Sequence, residues 1–180
     1  MAESFTNALA RSVGVVTTNS GVGAVGVTTN LITGISTVGL ATGYLVVNQH
    51  FRQGAVVSSI GAGQCVVSKD STNTTSAASQ DVNFLGFTTA YTSDSGTKAI
   101  LIGGTFANLS NNQIKIYVGM YDSSANEESL IASDIPVPSG SSFVISDAGK
   151  TVMEGSDAIR VYCDTATACD VTLGILKGVS

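Results

Sequence analysis

A chain of 180 residues, 43% hydrophobic and only 12% charged, is long enough for one ordinary domain or two small ones and can bury a real core, which argues against disorder throughout. The net charge is −5, and the eight basic residues (Arg11, Arg52, Lys69, Lys98, Lys115, Lys150, Arg160, Lys177) are scattered. Nucleic-acid binding needs a concentrated basic footprint, so no nucleic-acid partner is expected; no run of about 18 apolar residues occurs, so no spanning helix or membrane partner is expected either.

Ser, Thr, Val and Gly take the place of the missing charge. Thr and Val suit pleated surfaces and Gly and Ser suit turns, so the mixture favours β over α. Residues 4 to 12 fit two readings. One is a turn or two of helix capped by Ser4, with Phe5 and Leu9 sharing a face at i, i+4; the other is an extended arm, since so short a helix is marginal in water. In either form, an apolar Phe5/Leu9 segment too short to fold alone predicts an assembly role through docking on a neighbour. Residues 13 to 18 are a strand candidate, and residues 19 to 26 read as a Gly-rich connector.

From about 27 to 85 the apolar runs are short: Leu31-Ile32, residues 44 to 47, 55 to 57, 65 to 67 and 82 to 84. Each is bounded by Gly, Ser, Asn or Asp, which predicts a compact module of five or so strands. Residues 71 to 80 are the most polar stretch and predict an exposed loop. Beyond Gly86 the runs lengthen. Residues 99 to 106 suit a central strand, with Gly103 and Gly104 marking a bulge or close packing.

Residues 113 to 121 show the clearest pattern in the chain: Ile114, Ile116, Val118 and Met120 alternate with Lys115, Tyr117, Gly119 and Tyr121. Period-two alternation is what a half-buried strand requires. Further strands are expected at 130 to 137, 142 to 145, 151 to 153, 158 to 163 and 171 to 176. Turn chemistry separates them at 122 to 126, 138 to 140, 147 to 149 and 154 to 156. The prediction is an all-β fold, an antiparallel β-sandwich of jelly-roll-like kind. Residues 1 to 20 supply an N-terminal arm and the first strand, 87 to 180 the main sandwich, and 27 to 85 a small inserted β module.

The chemical inventory is thin. His50 is the one histidine, and no Gly-X-Ser-X-Gly elbow accompanies it. Glu127 with Glu128, and Asp164 with Asp170, are carboxylate pairs, but a chain with no Trp and 6% aromatics gives poor support for a sugar cleft. Asp122, Asp164 and Asp170 lie outside any Asp-X-Asp-X-Asp-Gly calcium loop and read as solvated turn residues. Neither Gly103-Gly104 nor Gly21-Val22-Gly23 leads into Gly-Lys-Ser/Thr, so neither is a phosphate loop. Cys65, Cys163 and Cys169 read as buried apolar thiols; the alternative for Cys163 and Cys169 is a disulfide across a hairpin. No catalytic, cofactor-binding or metal site is predicted, and no enzyme activity. The first residues begin acidic and lack a signal pattern, which predicts assembly in a cytoplasm.

The opening residues 1 to 16 (Met-Ala-Glu-Ser-Phe-Thr-Asn-Ala-Leu-Ala-Arg-Ser-Val-Gly-Val-Val) resemble the start of small virion structural proteins of tailed bacteriophages, including those of cyanobacteria. The later part is similar too. Residues 135 to 142 carry a strand ending in a Pro-Gly turn, 158 to 161 (Ala-Ile-Arg-Val) a core strand, and Asp170, Val171, Thr172 and Leu173 open the closing strand. The pattern departs at 154 to 158, where Ser156 stands between Gly155 and Asp157. The segment holding Ile32 to Ile35, Gly43, residues 51 to 57, 59 to 61 and 64 to 67 resembles a short repeat of phage tail and adhesin-like proteins. The resemblance implies an accessory virion structural protein of the neck, collar or tail, or alternatively a capsid decoration (cement) protein. A host- or glycan-binding module is the further alternative. Its implied partners are other virion proteins (portal or neck, tail, capsid) and copies of itself in a homo-oligomer, and its place is the virion, after assembly in the host cytoplasm.

Overall fold

The computed structural model describes residues 3 to 146 and 150 to 179, and the turn expected at 147 to 149 lies outside them. Every regular element described is a strand: β1 (Ser4–Val13), β2 (Val15–Val25), β3 (Leu31–Thr33), β4 (Leu45–Val47), β5 (Val57–Gly61), β6 (Gln64–Val67), β7 (Ala77–Gly86), β8 (Thr88–Thr92), β9 (Lys98–Asn108), β10 (Ile114–Asp122), β11 (Glu127–Val137), β12 (Ser142–Ile145), β13 (Thr151–Met153), β14 (Ala158–Cys163) and β15 (Cys169–Val179). All pairings are antiparallel. The chain forms two units: one runs to Gly14 and resumes at Thr88, and the other is Val15–Phe87.

The first unit is a sandwich of two sheets. One has the order β1-β15-β9-β12, with β13 also paired to β9; the other has the order β11-β10-β14-β8. Setting the three-residue β13 aside, eight principal strands remain. Counted in chain order, one sheet reads first, eighth, third, sixth and the other second, seventh, fourth, fifth. That is the double Greek-key order of a jelly roll. The second unit enters between the first and second of these strands.

The alternation in β10 builds the core as expected: Ile114, Ile116 and Val118 point inward against Ile159, Val161 and Cys163 of β14 and Val171, Leu173 and Ile175 of β15. Each such side chain stabilises the fold by about 1.5–3 kcal/mol when fully buried. In β9 the buried set switches parity, from Ala99 and Leu101 to Phe106 and Asn108. The ladder with β15 shifts register between Leu101 and Gly103, and this bulge lets both halves of the strand face the core. Gly104 fits there because a Cβ would meet the Leu173 side chain at 2.6 Å.

The second unit is a six-stranded sheet of order β4-β7-β2-β3-β6-β5. Its own core includes Val25, Ile32, Phe51, Val57, Val67, Val82 and Phe84.

Three expectations are corrected. Residues 4 to 12 are neither helix nor unpaired arm, and Ser4 caps nothing: they form β1, laddered to β15 from Ser4↔Lys177 to Ala10↔Val171. The pairing supplies backbone partners that an isolated segment lacks. Second, residues 15 to 20 do not belong to the sandwich. With the supposed connector they make β2, the longest strand of the second unit, where a register shift between Asn19 and Gly23 absorbs the glycines. Third, the loop at 71 to 80 is shorter than expected, since Ala77 already begins β7. Ser71 is buried, its Oγ donating to Gly26 O at 2.9 Å and accepting from Thr29 N at 3.1 Å.

Candidate functional site

β1 reverses the usual sandwich pattern. Thr6, Ala8 and Ala10 face inward, so the small residues meet the core, while Glu3, Phe5, Asn7, Leu9 and Arg11 face solvent. Phe5 is 79% exposed and Leu9 68%. The ladder carries this apolar character across the sheet. Phe5 stands opposite Leu176, Leu176 opposite Ile100, and Ile100 opposite Val152, on four adjacent strands. A second row runs from Leu9 through Thr172 and Thr105 to Val144. Val144 and Val152 are about half exposed. The outer face of the β1-β15-β9 sheet is therefore an oily surface with hydroxyls between, and it reaches an edge strand whose far side has no ladder among the described residues.

The opposite sheet places polar groups on its outward side. Two bulges in β11 permit this: the ladder to β10 shifts between Ile116 and Val118 and again between Val118 and Gly119. Asp134 takes φ 55° in the first bulge, a conformation Asp tolerates better than most residues. Its carboxylate accepts from Tyr117 Oη at 2.9 Å and lies 2.9 Å from Lys115 Nζ. Burial raises the Asp134 pKa, but the bonds from Lys115 and Tyr117 outweigh it and hold it below the ordinary value. Burial, then the bond to Asp134, pushes the Tyr117 phenol well up.

A second cluster surrounds Glu128. Its side chain is 9% exposed, and Oε2 accepts from Tyr162 Oη at 2.7 Å and from Arg160 Nη1 at 3.3 Å. The Arg160 guanidinium lies 3.6 Å over the Tyr121 ring. Burial, with the Glu128 charge added, drives the Tyr162 phenol far above its usual range. The signal for this network was present in the alternation, since Lys115, Tyr117 and Tyr121 share the outward parity of β10. Asp157 gave no comparable signal. It is buried, and it accepts from Ser123 N at 3.0 Å and Glu154 N at 2.9 Å.

The other sequence candidates are dispersed. His50 Nε2 lies 3.1 Å from Gln80 Oε1 and 3.4 Å from Gln49 Nε2, a glutamine environment. Glu127 is exposed while Glu128 is sealed, as neighbours on a strand must be, so the two do not converge. Asp164 accepts from Lys115 N, and Asp170 from Ser12 N. Asp122 binds the Ala125 and Ser124 amides of its turn, which lowers its pKa. Cys163 and Cys169 are free thiols buried in one core, and they sit on β14 and β15 in different sheets, not on the paired strands of one hairpin. Burial pushes the Cys163 and Cys65 thiols up to about 11 and Cys169 to about 12. Among the described residues no group of three or more His, Cys, Asp or Glu is placed to hold a metal ion.

In the second unit a shallow cleft of about 460 Å³ opens between Thr29, Leu31, Thr33 and the start of β7 at Ala77 and Ala78. No family model matches the chain, and neither do the curated proteins or the solved structures.

Proposed function

We propose that this chain is a structural component of a tailed-phage virion, an accessory neck, collar or tail protein that works through protein–protein contacts and carries out no catalysis. The observation that carries this reading is the outer face of the β1-β15-β9 sheet, where exposed Phe5 shares a row with Leu176, Ile100 and Val152, and exposed Leu9 a row with Val144. Surface of this composition suits repeated weak contacts in a symmetric assembly. The jelly-roll order adds support by fold-level analogy, since capsid domains are among its known uses. Capsid decoration is the alternative position for the same surface. Mass spectrometry of purified particles of the virus that encodes the chain tests the proposal: the protein is expected at a fixed stoichiometry, and its absence from intact particles rejects it.

One observation favours a second reading, a host- or glycan-binding module. The cleft beside Thr29 and Thr33 is lined by hydroxyls and small apolar groups, and lectins share the jelly-roll order. A glycan array probed with the whole chain separates the readings, and a blank array removes the second.

A further inference from the structure

We propose that two copies of this chain pair through β1, antiparallel and in the register that sets each residue i opposite residue 14−i of the second copy. The pairing goes beyond the virion reading and holds whichever part of a particle the chain occupies. It rests on the sequence of the exposed face. In this register Glu3 meets Arg11, Phe5 meets Leu9 and Asn7 meets itself, so unlike charges face each other and apolar faces apolar. All five residues point to solvent, and Arg11 is 87% exposed although it lies 3.9 Å from Asp170. Moving the register by two in either direction loses the match: Glu3 falls opposite Leu9, or Phe5 opposite Arg11.

The backbone agrees with this centre. The regular part of the β1–β15 ladder spans Ser4 to Ala10, and a bulge follows before Val13 with Ser12 at φ 54°. Ser4 to Ala10 is symmetric about Asn7, so the unbulged stretch maps onto itself under the proposed two-fold axis. Exposed edge strands are ordinarily blunted by bulges, prolines or inward charges. Here the seven regular residues carry none of these, and the two charges flank them with opposite signs. Pairing would join the two sheets edge to edge and extend the Phe5–Leu176–Ile100–Val152 row through Leu9 of the second copy. Because the contact is isologous, it closes at two copies rather than growing into a fibre.

The experiment is light scattering of the full chain across a concentration series, with charge-swapped variants. The parent is expected to show twice the chain mass at high concentration. Arg11→Glu and Glu3→Arg should each weaken pairing about tenfold, since each sets like charges opposite one another at two symmetric positions. The double variant, with the charges exchanged, should restore it. Asn7→Cys gives a readout independent of those variants' folding: oxidation should link the copies covalently through residue 7, while Thr6→Cys, on the inward face, should not link. A parent that stays single at every concentration, a double variant no better than either single one, or linkage at position 6 instead of 7 overturns the pairing. Presence in purified particles is a separate measurement, so the two proposals fail separately.

Discussion

Gly119 lies directly beneath the Glu128 carboxylate: a Cβ at position 119 would collide with Glu128 Oε1. The absence of a side chain on β10 is thus what admits the acid from β11 to Tyr162 and Arg160 of β14. Gly119→Ala should displace Glu128 and destabilise the sandwich by about 2 kcal/mol, within the range for overpacking a close-packed site. Urea unfolding checks this, and a double-mutant cycle with Glu128→Ala should show strong coupling between the two positions. Additive effects would mean that the glycine and the acid act separately.

Asp134 should make the fold acid-sensitive. Unfolded, its carboxyl titrates near 3.8; folded, the Lys115 and Tyr117 bonds hold it lower. Its contribution is therefore complete above about pH 4 and lost as the pH falls through the folded value. The group is about one-third exposed, so the effect is modest, under about 1 kcal/mol. Asp134→Asn should lower the urea midpoint at pH 7, and its difference from the parent should shrink steadily as the pH falls below about 4.

At the alkaline end the signs reverse. The Tyr117 and Tyr162 phenols are raised above their ordinary value of 10.0, so the unfolded chain ionises first, and stability present below pH 10 drains as the pH rises. The thiols act alike from about pH 9. Native protein at pH 8 should leave Cys65, Cys163 and Cys169 unreactive towards a disulfide reagent, and guanidinium should release all three. Rapid native reaction at any of them would contradict their burial.

Phe5→Ser with Leu9→Ser should change stability by less than about 0.5 kcal/mol, because both side chains face water in the single chain. Incorporation into particles should fall. Removing residues 3 to 12 is a different operation: it strips β1 from β15 and takes Ala10 out of the core. Thermal unfolding should show a large loss for the deletion and almost none for the paired serines.

Asp157→Ala should be costly. It takes the acceptor from the part-buried Ser123 and Glu154 amides, a loss of about 0.5–1.5 kcal/mol for each hydrogen bond. Asp157→Asn keeps one acceptor oxygen and should lose about half as much in the same chemical denaturation.

The all-β fold class was legible because Ile114, Ile116 and Val118 alternate cleanly and turn residues punctuate every later strand. β1 was not legible. Its inward positions are Thr6, Ala8 and Ala10, and its bulky apolar residues face outward, so hydrophobic periodicity pointed to the wrong face. β2 was hidden by glycines that a register shift accommodates and that read locally as a connector. The Glu128 cluster joins residues 32 and more positions apart, a relationship no local pattern carries. What the pattern did offer was Tyr117 and Tyr121 on one parity of β10, and these proved to be the aromatic side of both polar networks.

The ladder between β1 and β15 has a kinetic consequence. During synthesis the opening strand leaves the ribosome more than 150 residues ahead of the segment that will pair with it. The unit from Val15 to Phe87 has its own core and can be completed in that interval. Until β15 emerges, the Phe5–Leu9 stretch waits with both backbone edges open, a period in which nascent chains translated side by side on one message are most at risk of exchanging strands.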